Sequence, residues 1–222
     1  MPGQEVGTEA ELVEKLGVNR STVREGMSVL EQSGLVSRGA GRKLVVCLPQ
    51  YKTLATRISR AMILREVTFE ELYQTAMILE VGVVEAAAIQ ADDKDIEDLD
   101  ANISEAERAI DDPVQLSCLD TAFHALLARI ARNRVMELAR EPAAQLFFPT
   151  AEMICRHVPE GATRMVKAHK HIVHAIRKHD MENARIWVLR HLVDWKKGFE
   201  RAGLRIDEPI GSLLAKLTSG IG

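Results

Sequence analysis

Residues 8–48 read TEAELVEKLGVNRSTVREGMSVLEQSGLVSRGAGRKLVVCL, and their punctuation decides the fold of the N-terminal unit. Thr8 and Glu11 have the spacing of a capping box and Gly17 supplies a stop, which predicts a short helix with Leu12, Val13 and Leu16 on one face. After the tight turn Gly17-Val18-Asn19, a second helix is predicted from Asn19 or Ser21 to Ser33. Its apolar positions Val23, Met27 and Leu30 recur at i, i+4, i+7, and Gly34-Leu35 has the form of a Schellman ending. Leu35–Arg38 and Lys43–Leu48 are extended runs around the glycine-rich turn Gly39-Ala40-Gly41-Arg42, and Pro49 closes the unit. Helix, tight turn, helix and hairpin together describe a winged helix-turn-helix in residues 1–50. In that motif the second helix enters the major groove and the wing lies along the backbone.

The second helix carries chemistry suited to that role. Arg20 and Arg24, four apart, project from one face toward phosphates or guanine edges, and Ser21 and Thr22 add short donors at its start. Arg38, Arg42 and Lys43 make the wing basic, while the acidic residues of the unit fall mostly in Glu5–Glu14. A winged helix also serves as a protein-interaction module, and two arginines on one face are commonly just solvated.

Residues 51–222 read as helical nearly throughout. Leu54, Ile58 and Met62 mark a connecting helix, and a second capping box, Thr68 and Glu71, opens a helix to about Ala91. Ile96, Leu99, Ile103, Ala106 and Ile110 alternate spacings of three and four. Pro113 begins a helix to about Arg132. Pro142 and Pro149 predict a kink or break within 134–157. A Pro159-Glu160-Gly161 loop is expected before helices at about Thr163–His179 and Met181–Ala202, the second capped by Asp180. A tail with one short helix, Ser212–Leu217, follows. The fold class is thus mainly α, a winged helix-turn-helix followed by an all-α bundle.

Within this bundle Asp120 and His124 stand four apart, so both project from one face and can share a metal ion. If Asp180 marks the turn of an antiparallel pair, His169 and His191 each lie eleven residues from it and sit at the same level. Three imidazoles and one carboxylate suit Zn²⁺, Ni²⁺ or another first-row divalent ion better than Mg²⁺ or Ca²⁺. Seven histidines in 222 residues also produce such spacings by chance. His171, His174 and His179 point to other faces and are expected to meet solvent.

Composition narrows the classes. The chain has 46% hydrophobic and 27% charged residues and a formal charge of −3 from 29 basic and 32 acidic side chains, so coating nucleic acid through a uniformly basic surface is excluded. Glu80 and Glu85 interrupt the most apolar stretch, Ala76–Ala91, so no membrane span is expected. The N-terminus has no signal-peptide pattern. Cys47, Cys118 and Cys155 form no CxxC pair, which fits a reducing cytoplasm.

The run EAELVEKLGVNRSTVREGMSVLEQSGLVSRGAGRKLVV (9–46), above all Leu-Gly-Val-x-Arg-x-x-Val-Arg-Glu at Leu16–Glu25, resembles the DNA-binding domain of the GntR family of bacterial transcription regulators. The segments LDTAFHALLARIARN (119–133) and AHKHIVHAIRKHDMENARIWVLRHL (168–192) are similar to the helical FCD effector domain of FadR-type members. Together the two resemblances cover nearly the whole chain. They imply DNA contacts at Arg20, Ser21, Thr22 and Arg24 and at the wing residues Gly41 and Arg42. They also imply a divalent transition metal, Zn²⁺ or Ni²⁺, held by Asp120, His124, His169 and His191. The implied partners are a pseudo-palindromic duplex operator, a second copy of the chain and a small effector, commonly a carboxylate.

Three departures from the family pattern stand out. Ala10 and Ala76 occupy positions where many relatives have arginines, the first touching DNA and the second an acidic effector. The chain also opens where the first helix of the family ends, so that helix is expected to be missing. A ligand-responsive regulator is the leading expectation. A metal-dependent enzyme fused to a winged helix is the alternative, although no nucleophile elbow, phosphate loop or acid-base pair beside the ligands supports it.

Overall fold

The computed structural model describes residues 1–39, 43–47 and 51–218, with backbone alone at 51–53, 148–149 and 216–218. Two compact units divide the chain, Met1–Leu54 and Ala55–Gly222.

In the first unit, β1 (Glu5–Gly7) leads into α1 (Glu9–Leu16), which starts at the Thr8/Glu11 capping box and ends at Gly17 with φ 65°. That backbone conformation favours glycine. Next comes α2 (Arg20–Ser33), capped by Asn19, whose side chain accepts from the Thr22 amide. At its end the Leu35 N–H reaches the Leu30 carbonyl at 3.2 Å, the Schellman bond anticipated from Gly34-Leu35. β2 (Val36–Arg38) and β3 (Leu44–Val46) form the hairpin, in register Val36↔Val46 and Arg38↔Leu44. Its turn residues Ala40, Gly41 and Arg42 lie outside the described residues. The sheet has a third strand, in order β1-β3-β2, that the sequence did not signal. Three residues are too few to display alternation, and β1 is held by backbone bonds such as Val46 N–H to the Gln4 carbonyl.

Val23, Met27, Val36 and Leu44 form the core, with Val6, Leu12 and Val13 against them. Leu16 and Leu30, expected on the buried faces, are exposed at 60% and 39%. The core of this small unit stops one turn short of both.

The second unit is built from α3 (Tyr51–Leu64), α4 (Phe69–Gln90), α5 (Asp93–Arg108), α6 (Pro113–Ile130), α7 (Arg134–His157), α8 (Pro159–Arg177), α9 (Met181–Arg201) and α10 (Ile210–Thr218). Side chains of Thr68, Asp92, Asp112, Asn133 and Asp180 cap α4, α5, α6, α7 and α9 by accepting from first-turn amides. At the centre, α4 packs on α6, α7, α8 and α9. By length and composition it could cross a membrane; here Val83, Val84, Ala87 and Ala88 are fully buried in the bundle.

Three expectations are corrected. No break interrupts α7 at Pro142 or Pro149. Each proline removes one helical amide donor, but Ala143, Leu146, Ala151 and Ile154 are buried, so tertiary packing holds the helix. The Ser59 hydroxyl also lies 2.8 Å from the Pro142 carbonyl. Pro159-Glu160-Gly161 is the first turn of α8 rather than a loop. Proline is well placed there, because a first-turn amide has no partner within the helix. Finally, residues 204–214 are packed rather than a tail. Ile210 N–H donates to the Val67 carbonyl at 2.9 Å, and Ile210 and Leu213 are buried with Phe69 and Phe199.

Candidate functional site

Five helices supply the site. α6 presents Asp120 and His124 one turn apart, α8 presents His169, α9 presents His191, and α4 and α7 add Glu80 and Arg140. One ligand atom each from Asp120, His124, His169 and His191 lies within 4.8 Å of the other three, and the three histidines are buried. Asp120 Oδ1 stands 3.9 Å from both His124 Nε2 and His191 Nε2 and 3.3 Å from His169 Nε2. His124 Nε2 and His191 Nε2 are 3.1 Å apart.

This donor set passes a specific test for a metal. Asp120 Oδ1 and His169 Nε2 are both buried and have no hydrogen-bond partner among the described residues. An orphaned buried oxygen and nitrogen cost free energy, and an ion shared between them would remove that cost. Ligands about 2.0–2.2 Å from one ion lie roughly 3–4 Å apart, close to the separations here.

Neighbours fix each imidazole. The Phe123 ring stacks on His169, centroids 3.7 Å apart and nearly parallel. His124 Nδ1 is 3.0 Å from Glu80 Oε2, so a neutral His124 donates there and leaves Nε2 free to ligate. Glu80 Oε1 in turn accepts from Arg140 Nε at 2.8 Å. Burial alone would raise the Glu80 carboxyl, but the charges of His124 and Arg140 and their hydrogen bonds outweigh it and hold the pKa at about 2. For Asp120 burial is likewise outweighed, by His169 and the other two histidines, and its carboxyl stays well below the ordinary range. Burial lowers His169 and, joined by the charges of the other imidazoles, depresses His191 to about 3. In His124 the burial effect is overcome by Glu80 and Asp120, and its pKa is raised.

Beside the tetrad opens a cavity, lined on its polar side by Glu80, Asp120, His124, Arg140 and His191 and on its apolar side by Ala76, Phe147 and Trp195, among others. A second hollow, reaching Cys155 and Arg164, shares Asp120, His191 and Trp195 with it.

Glu80 and Arg140 were not anticipated. Glu80 stands on the buried stripe Leu72, Ala76, Val83, Ala87, and a carboxylate on such a stripe needs a buried partner. Arg140 lies in the proline-containing segment expected to break. Of the other histidines, His174 and His179 are exposed as expected, the latter with Nδ1 2.8 Å from the Ala88 carbonyl, while His171 is half-buried against Trp187.

On α2, Arg20, Ser21, Thr22 and Arg24 occupy the first turns and are exposed; Gly41 and Arg42 fall outside the described residues. The Ser21 and Thr22 hydroxyls lie 2.6 and 2.9 Å from Asn19 Oδ1. The acidic residues, separate from the cations in sequence, meet them in space. Glu9 Oε1 accepts from both Arg20 Nε and Arg24 Nη2, Glu31 pairs with Arg38, and Glu5 pairs with Lys43.

Residues 1–46 match the model described as bacterial regulatory proteins, gntR family, and residues 71–194 match the FCD domain. The chain belongs to the GntR family and carries an FCD domain. As a GntR regulator it is 30% identical over 198 residues to the Uxu operon regulator of Haemophilus influenzae, covering 87% of this chain and 73% of the relative. It is 23% identical to the HTH-type transcriptional regulator LutR of Bacillus subtilis, with 87% and 90% covered. Among solved structures, the Streptococcus agalactiae GntR matches with a TM-score of 0.65 at 22% identity, over 89% of this chain and 90% of that one. Members of these families are transcription regulators, not enzymes. This GntR regulator therefore has a DNA-binding winged helix and an FCD effector domain, and the tetrad lies in the latter.

Proposed function

We propose that the chain acts in the cytoplasm as a homodimer that binds a pseudo-palindromic operator, its affinity set by a small effector at a metal site in the helical domain. Arg20, Ser21, Thr22 and Arg24 read or position the duplex, with Gly41 and Arg42 on the wing. Asp120, His124, His169 and His191 hold one divalent ion, Zn²⁺ or Ni²⁺. When bound, such an ion supplies Lewis-acid attraction for an effector oxygen.

The observation that carries this reading is the convergence of the tetrad beside the cavity, with Asp120 Oδ1 and His169 Nε2 left without hydrogen bonds. The chain's own residues offer a route for coupling. An effector there touches α7, which lines the cavity with Arg140, Ala144, Phe147 and Ala151. The Pro142 carbonyl of α7 meets Ser59 of α3, the helix that comes next after the winged helix in sequence. A ligand that favours one position of α7 over another shifts operator affinity by its differential binding, typically about 1–3 kcal/mol.

The test uses an operator selected from a randomised duplex library and a panel of small carboxylates. A carboxylate that binds should change operator affinity in the wild type and not in His169→Ala. An equal change in both proteins would make any metal structural and the mechanism wrong.

A further inference from the structure

One cation in the cavity has donors to spare. Arg140 is only 6% exposed, and a buried guanidinium is costly unless its N–H groups are met. Nε is committed to Glu80; Nη1 is 4.0 Å from Glu141 Oε2, too far for a hydrogen bond, and Nη2 has no hydrogen-bond partner among the described residues. Glu80 meets it through Nε alone, and its second oxygen is turned to His124 Nδ1. The remaining carboxylate of the lining, Asp120, belongs to the tetrad.

Charge points the same way. Glu80 and Arg140 cancel. Asp120 with three neutral imidazoles leaves a divalent ion one positive charge in excess. The apolar wall of Ala76, Phe147, Leu192 and Trp195 provides no counter-charge.

We propose that Arg140 is the anion anchor of this cavity. Its Nη groups take the carboxylate of a small acid, a second oxygen function of the same molecule reaches the tetrad, and the carbon skeleton between them lies against Phe147 and Trp195. A guanidinium fork matches a carboxylate two-pronged, which selects it over a neutral group of similar size. The ligand class is a short dicarboxylate or hydroxy acid with its oxygen functions at opposite ends. This rests on the effector reading above and adds to it the residue that fixes specificity.

The test is calorimetric titration of Zn²⁺-loaded protein with acetate, oxalate, malonate, succinate and glutarate. Dicarboxylates with separated ends should bind more tightly than acetate. Arg140→Gln should weaken them at least about tenfold, as expected for a lost charge-assisted hydrogen bond. Because that variant leaves Glu80 without its cation, Arg140→Lys, which keeps a positive charge beside Glu80 but removes the planar fork, is measured too, with Zn²⁺ uptake as the check on the site. It should bind one Zn²⁺ per chain and still bind the dicarboxylates more weakly than the wild type. Equal dicarboxylate affinity in wild type and both variants would overturn the anchor while leaving the effector reading intact. Failure of the wild type to bind any dicarboxylate would overturn it as well, and the effector reading would then rest on the operator response in His169→Ala.

Discussion

Asp120 Oδ1 of α6 and His169 Nε2 of α8 approach to 3.3 Å, both buried, and neither forms a hydrogen bond among the described residues. Two polar atoms that face each other at that distance without bonding are what a shared ion would satisfy, and the Phe123 ring is stacked on His169 beside them.

The Phe123 stack gives the first prediction. Phe123 is fully buried, so Phe123→Ala should destabilise the protein by about 3–5 kcal/mol, through lost burial and the cavity left behind. Phe123→Leu should cost less, yet it too removes the ring that fixes His169. Denaturant melts and Zn²⁺ titration of both variants check this. Unchanged Zn²⁺ affinity in Phe123→Leu would show that the stack does not position the ligand.

Acid should weaken the metal-free bundle. His191, depressed from 6.5 to about 3, contributes stability that is complete above pH 6.5 and is lost as the pH falls toward 3; His169, also lowered, acts in the same sense. Glu80, depressed from 4.5 to about 2, adds a loss between those values. His124 is raised and works in the opposite direction, contributing below 6.5 and losing that contribution as the pH rises through its folded value. Two lowered histidines against one raised predict a melting temperature in EDTA that drops from pH 7 to pH 4.5. A flat profile would contradict the burial argument.

At the DNA-reading helix, Arg20→Ala or Arg24→Ala should cost about 1–3 kcal/mol of operator affinity if either arginine reads a base. Affinity should also fall steeply as salt rises. Anisotropy titrations against specific and random duplexes separate the cases. Equal binding to every sequence, unaltered by either substitution, would remove the claim of specific recognition.

Glu9 offers its carboxylate to both arginines, so Glu9→Gln should release them together. The expected result is a few-fold rise in affinity for a random-sequence duplex and poorer discrimination in favour of the selected operator. A loss of affinity for both duplexes would mean that Glu9 chiefly supports the fold of α1.

Much of this was legible in the sequence because it is written in local rules. Thr8 with Glu11 and Thr68 with Glu71 mark helix starts, Gly17 and Gly34 mark ends, and helical spacing with the turn at Asp180 groups the four residues that the FCD resemblance implies as ligands. What escaped depends on tertiary partners. β1 exists because β3 is there to pair with it. The course of α7 through two prolines is set by its neighbours, and with it the position of Arg140. Glu80 reads as a break in an apolar run until Arg140 and His124 are brought against it. The acidic residues of the winged helix look remote from its cations along the chain, yet Glu9 sits between two of them.

The most direct measurement is the metal content of the purified protein, prepared without chelators and then dialysed against Zn²⁺. The account predicts one ion per chain in the wild type. His169→Ala and His191→Ala should each take up far less while keeping their helical circular dichroism, since the bundle core is apolar. A wild type that neither carries nor takes up a divalent ion, or variants that bind it as fully as the wild type, would contradict the metal site and the regulation built on it.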